Sequence, residues 1–268
     1  MFDEDGVNNL IYIWKYYSKE RDKNKNFIYE IIKDNFLKEL IQIYKKLKEI
    51  RTKINMIELF NKFLIEDEFD KILINDGIIN FFSSELVKYQ YSNNEILNKI
   101  ISSCDNLALG KIDQIGYLLE SKIISKIIDI TNFYINDNLD NEIKNLLIIS
   151  ILFLAHCVNS DNDKIKKEIL KYDNLSVINI FCKALKIDLD PFNKRNIVQA
   201  IIFAINELNV ASEELEPQLE KQYNYLLINN SLEEILDNYY EKKYLDKTCK
   251  DMIDDIKIFI QDIKKNIQ

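Results

Sequence analysis

The sequence predicts an all-α protein, a right-handed α-solenoid of about five helical repeats, and three observations carry that prediction. First, one pattern recurs five times: IYEIIKDNFLKELIQIY from Ile28, FDKILINDGIINFFSSEL from Phe69, IDQIGYLLESKIISKIIDI from Ile112, KIKKEILKYDNLSVINIFCKAL from Lys164 and QYNYLLINNSLEEILDNY from Gln222. Each copy is an apolar helical turn, a short polar break and a second helix opening on aliphatics. Second, Gly and Pro are scarce, at 4 and 2 in 268 residues. A β-rich fold needs more turn residues than that. Third, apolar residues fall at i, i+3, i+4 spacing along most segments, the signature of helices that bury one face.

The breaks at Asn35, Gly77, Lys122, Asn174 and Ser231 lie 42, 45, 52 and 57 residues apart. Such a period belongs to repeats of paired or triple helices of the armadillo or HEAT kind, in which each unit buries its core against its neighbours. The expected organisation is a single armadillo-type domain over 1–268. Its repeats lie near 7–48, 52–89, 93–134, 140–187 and 192–240, with a cap helix over 246–267. An array of this kind is a binding surface, so the chain reads as a scaffold rather than an enzyme.

Taken in order, the segment RDKNKN at 21–26 is a polar loop inside the first repeat. Residues 89–94, 136–141 and 159–163 separate later helices. From Ile112 to Ile130, the residues Ile115, Leu118, Leu119, Ile123, Ile127 and Ile130 share one side. Pro191 starts or just precedes a helix, where its missing N–H costs nothing. Pro217, within EELEPQLE, is expected in an extended connection. The last helix, from Thr248 to Ile267, is expected to bury Met252, Ile256, Phe259, Ile260 and Ile263 and to turn Lys and Asp to water.

Composition narrows function by exclusion. A net charge of −8 and a pI near 5 disfavour nucleic acid as the main partner, since phosphate binding needs a clustered basic surface. They suit a basic protein or peptide partner. The acidic start MFDEDGVNNLIYIW lacks the positive region of a secretory signal, and the longest apolar run, around Leu146 to Ala155, is short for a bilayer. No membrane partner is expected, and the localisation expected is cytoplasmic, nuclear or both. Cys104, Cys157, Cys182 and Cys249 are scattered without paired spacing, as reduced core thiols are. No phosphate loop, HExxH or GxSxG motif occurs, so no cofactor, metal or catalytic residue is assigned. His156 stands beside Cys157 in LAHC, but adjacent helix residues point about 100° apart. A structural or peptide-contacting His156 fits better than a catalytic one. The pairs Asp67/Glu68, Glu213/Glu214, Glu233/Glu234 and Asp254/Asp255 read as solvated faces, as does the run Lys45, Lys46, Lys48.

The segment IISSCDNLALGKIDQIGYLLESKIISKIIDI resembles a repeat of importin-α. Asn106, Gly110, Gln114, Ile115, Leu118, Leu119, Ile123 and Ile124 follow that family's order. NEIKNLLIISILFLAHC, NIVQAIIFAINEL and the ending NNSLEEILDNYYEKKYLDKTCKDMIDDI are similar to later units, and the likeness is to the family's C-terminal half. The resemblance implies a concave groove in which Trp indoles stack on Lys stems and Asn amides hold a peptide backbone. Carried over, the Asn rungs are Ser18, Asn61, Asn106, His156 and Asn206. The Trp rungs are Trp14, Ile57, Ser102, Leu152 and Ile202. Only Trp14 is an indole. The acidic residues expected one turn after each Asn are replaced by Ile65, Gly110, Ser160 and Val210, and the segment that binds importin-β is missing. The implied partner is an extended basic, nuclear-localisation-type peptide, with a transport receptor at Ser231 to Ile263 as a second surface. Two other classes stay open: an armadillo-type Hsp70 exchange factor that clamps a folded lobe, and a structural subunit of a larger assembly.

Overall fold

A computed structural model describes Gly6, Asn9, Tyr12 and residues 36–64, 74–109, 112–136, 140–160, 163–187, 191–212, 215–240 and 245–267. Asn35, the 21–26 segment, Trp14, Ser18, Ile65 and Gly110 lie outside those residues. The described chain is helical throughout. Its elements are α1 (Phe36–Lys46), α2 (Ile50–Phe63), α3 (Ile78–Tyr89), α4 (Asn94–Ala108), α5 (Ile112–Glu120), α6 (Ile123–Tyr134) and α7 (Asn141–Val158). They continue with α8 (Asp163–Lys171), α9 (Ser176–Ala184), α10 (Pro191–Ser212), α11 (Pro217–Asn229), α12 (Leu232–Tyr240) and α13 (Lys247–Ile267). The chain divides into two compact units, Met1–Ile123 and Ile124–Gln268.

Local chemistry explains the helix boundaries. The breaks between paired shorter helices need a residue with left-handed backbone, which ends one helix and turns the chain for the next. Gly77 (φ +94°), Lys122 (φ +62°) and Ser231 (φ +55°) supply it where the sequence places the break. At the fourth break the left-handed residues are Asp173 and Leu175, flanking Asn174. Three long helices open on side-chain caps that satisfy an otherwise orphaned N–H. Asn93 accepts from the Ile96 N–H, Asp140 from Ile143 and Asp246 from Cys249, each at 2.8 Å. Pro217 is the first residue of α11 rather than part of an extended connection. Its fixed φ and absent N–H suit that position.

In the first unit α2 packs on α4, and α4 packs on α3 and α5. Tyr44, Phe60, Phe81 and Phe82 form its aromatic core, with the Tyr44 and Phe81 rings edge to face at 4.8 Å. The buried Tyr44 hydroxyl donates to the Glu85 carboxylate at 2.7 Å. Together with burial, that bond pushes the phenol's pKa far above its usual value.

In the second unit α10 packs between α7 and α13, with α8 and α9 against α7 and α10. Hydrogen bonds here link residues one repeat apart: Tyr172 to Asp129 at 3.1 Å, Asn230 to Asn179 at 3.1 Å, and Tyr239 to the Leu185 carbonyl at 2.6 Å. The apolar run around Leu146 sits inside α7, an 18-residue helix of mean hydropathy 1.4, long and apolar enough by length and composition to cross a membrane. Half of that helix is buried within the unit. All four cysteines are buried and none is in a disulfide.

Candidate functional site on the long helices

The core pattern of the long helices fixes which residues face outward. Buried Thr52, Met56, Ile57, Phe60 and Phe63 of α2 recur as Ile96, Ile100, Ile101, Cys104 and Leu107 of α4, 44 residues on. They recur again as Leu146, Ser150, Ile151, Leu154 and Cys157 of α7, a further 50 on, and as Ile197, Ile201, Ile202, Ile205 and Leu208 of α10, a further 51 on.

This register revises part of the expected ladder. Ile57 and Ile202 are fully buried core residues, so no side chain at either place stacks on a lysine stem. The outward position they were expected to share with half-buried Ser102 and Leu152 belongs to Glu58 and Phe203. Likewise Asn106 and His156 are register equivalents of Lys62 and Glu207. Asn61 and Asn206 fall one residue earlier, level with Asp105 and Ala155.

On the first unit this offset brings two of the expected rungs into contact. The Asn106 amide Nδ2 donates to Asn61 Oδ1 at 2.5 Å, bridging α2 and α4. A carboxamide has two N–H donors and two acceptor lone pairs, so one bond leaves both residues with spare capacity. Asn61 keeps an NH₂ and Asn106 keeps its C=O, a donor and an acceptor side by side on half-exposed surface. Beside them Glu58 pairs with Lys99 at 2.7 Å, and Asp105 is half-buried. Ser102 lies one turn before Asn106 on the same face.

On the second unit His156 and Asn206 are both half-buried, on packed neighbours α7 and α10. Around them the outward stripe is apolar: Ile148, Ile149 and Leu152 on α7, Ala200 and Phe203 on α10. Cys157, next to His156, lies wholly inside. No group of three His, Cys, Asp or Glu side chains able to hold a metal occurs among the described residues. A cleft of about 370 Å³ lies between α1 and α3, where Asp76 pairs with Lys38 at 3.5 Å. Its lining also holds Lys45, the Gln42 and Asn80 amides, the Ser84 hydroxyl and the edges of Ile41 and Phe81.

Solved structures with this arrangement decide the fold. A designed armadillo repeat protein, YIII(Dq)4CqI, superposes with a TM-score of 0.60 over 87% of this chain and 85% of that one, at 16% identity. The fold is an armadillo-repeat solenoid. A second designed armadillo repeat protein, solved in complex with the peptide (KR)4, gives a TM-score of 0.59 over 88% and 84% of the two chains at 13% identity. A computationally designed set made for modular peptide recognition gives 0.59 over 88% and 85% at 15% identity. No protein-family model and no curated protein matches the sequence.

The residues missed by sequence reasoning are Glu58, Asp105 and Phe203. The 44-, 50- and 51-residue recurrence of buried pairs marks them, but Ile is so common in these helices that the inward stripe has no sharp edge in the sequence alone.

Proposed function

We propose that this chain is a non-enzymatic protein-binding scaffold that seats an extended, basic segment on the long helices of its first unit. The observation that carries the reading is the Asn61–Asn106 bridge, whose spare donor and acceptor match the C=O and N–H of one residue in an extended chain. Asp105 and Glu58 flank the bridge, Glu58 through its pair with Lys99, and a Lys or Arg of the segment would exchange with that lysine, in keeping with the net charge of −8. Recognition here is through main-chain hydrogen bonds and carboxylates rather than stacked indoles. A designed armadillo repeat protein solved in complex with the peptide (KR)4 supports the reading.

The importin-like form of the proposal adds a second partner on α12 and α13. Those helices are knit by ion pairs from Lys257 to Asp237 and from Lys264 to Glu233.

Fluorescence polarisation with labelled Lys/Arg-rich peptides, at low and physiological salt, tests the reading. Binding that weakens by about tenfold in Asn106→Ala, a loss of about 1.4 kcal/mol, is the expected result. Absence of binding at either salt removes the basic-segment reading.

A further inference from the structure

The long helices of the second unit carry a feature that the basic-segment reading does not use. Each has a cation near its start: Lys144 on α7, Arg195 on α10 and Lys247 on α13. The three hold equivalent places. Lys144 and Arg195 are separated by the same 51 residues that relate the buried positions of α7 to those of α10. Ile197, Ile201, Ala204 and Leu208 of α10 recur 52 residues on as Cys249, Ile253, Ile256 and Ile260 of α13, which sets Arg195 level with Lys247. The helices pack in the order α7, α10, α13, so the cations form a row running across them.

Arg195 and Lys247 are exposed and Lys144 is half-exposed. None of the three makes an ion pair among the described residues. The negative groups beside the row are Asp140 and Glu142 at the start of α7 and Asp246, which caps α13. The Asp246 carboxyl is held below its usual pKa chiefly by the Cys249 backbone N–H, with Arg195 contributing. That coupling places Arg195 beside the start of α13. Asp140 and Asp246 are both engaged in capping, as acceptors from the Ile143 and Cys249 N–H groups.

We propose that this row is a docking site for an extended acidic segment of a partner protein, with carboxylates at every third residue. Packed helices lie about 8–10 Å apart. A segment in the extended polyproline II conformation rises about 3.1 Å per residue with three residues per turn, so every third side chain falls on one side, about 9 Å from the last, and presents one carboxylate per helix. Beside the row the surface becomes apolar, at Ile148 and Ile149 on α7 and Ala200 on α10, which suits apolar residues between the acids. An acidic ligand fits the row itself, although the chain as a whole is acidic. The site shares no residue with the Asn61–Asn106 bridge and does not depend on what binds there.

The test uses the full chain and three labelled probes of about nine residues each: a peptide with Glu at every third position, a peptide of the same composition with its Glu residues contiguous, and single-stranded oligothymidylate. The spaced peptide is expected to bind more tightly than the contiguous one, with affinity falling as salt rises. Combined Lys144→Glu, Arg195→Glu and Lys247→Glu changes are expected to weaken it by about tenfold or more while leaving helix content by circular dichroism unchanged. Conversion of the three to Gln guards against misfolding of the charge-reversed variant and should give a smaller loss of the same kind. Equal binding of the two peptides, no binding of either, or an unaltered affinity in both variants overturns the proposal. Tighter binding of oligothymidylate than of the spaced peptide also overturns it and assigns the row to a phosphate backbone.

Discussion

The two units bury the same pattern and expose opposite ones. In the first, the outward stripe of α2 and α4 is polar and tied to itself, through Glu58 to Lys99 and Asn106 to Asn61. In the second, the stripe of α7 and α10 is aliphatic in the middle, and its leading cations Lys144 and Arg195 make no ion pair among the described residues. Stacking constrains only inward positions, because each core residue must fill space left by the next repeat. Outward positions are free of that demand and carry the difference in surface chemistry. One scaffold thereby offers two chemically distinct surfaces.

The strongest way to probe the shared core is to cut matching holes in it. Phe60→Ala in the first unit and Phe181→Ala in the second each remove a ring from a site with at most 1% exposure. Each is expected to cost about 3–5 kcal/mol, read as a lowered midpoint in urea. A large loss at one site and little at the other would show that one unit's packing does not limit stability.

Buried tyrosine hydroxyls sharpen the comparison. Tyr44→Phe strips a hydrogen bond from Glu85, and Tyr223→Phe strips one from Asn209. Each leaves a buried acceptor with one partner fewer and is expected to cost about 1–3 kcal/mol.

Next in size is the backbone. A Cβ at Gly77 would meet nothing within 4 Å, so Gly77→Ala tests conformation alone. At φ +94° it is expected to cost about 1–2 kcal/mol. Ser231→Gly, at the corresponding break of the second unit, should instead be neutral or stabilising.

The smallest effects are electrostatic. The Lys264 ammonium, by its hydrogen bond, holds the Glu233 carboxyl below its usual pKa of 4.5. A depressed carboxyl stabilises the fold above the unfolded pKa, and that contribution disappears as pH falls through the lower folded value. Lys264→Ala should therefore cost up to about 1 kcal/mol at neutral pH and nothing measurable well below pH 4. Burial pushes the Cys182 thiol up from 9.0 to about 12. A raised thiol favours the fold below the unfolded pKa, and the advantage is lost as pH climbs from about 9 through about 12. Alkylation of Cys182 near pH 8 should accordingly require unfolding.

Much of the fold is legible in the sequence because turn chemistry and period agree. Gly77, Lys122 and Ser231 were marked as breaks by the polar interruption of two apolar runs, and each has left-handed backbone. The fourth break shows the limit. The polar interruption places the break at Asn174, yet the left-handed residues are its neighbours Asp173 and Leu175, the latter completely buried. Helix phase is the other limit. In α13 the sequence suggested that Met252 and Phe259 point inward, but the buried stripe is Cys249, Ile253, Ile256, Ile260 and Ile263. When aliphatics occupy both faces of a helix, neighbours choose the phase and the sequence alone does not. The same ambiguity set Ile57 and Ile202 in the ladder in place of Glu58 and Phe203. The Lys144, Arg195, Lys247 row was present in the sequence as a recurrence, visible only once buried positions fixed the register.

The most direct test of two surfaces on one scaffold is a crossed titration. A Lys/Arg-rich peptide and the spaced-Glu peptide would each be titrated against the full chain, Asn106→Ala and the Lys144→Glu, Arg195→Glu, Lys247→Glu variant. The account predicts that Asn106→Ala weakens only the basic peptide and that the charge-reversed variant weakens only the acidic one. Loss of both peptides in the same variant would contradict it, as would two peptides that compete for a single site.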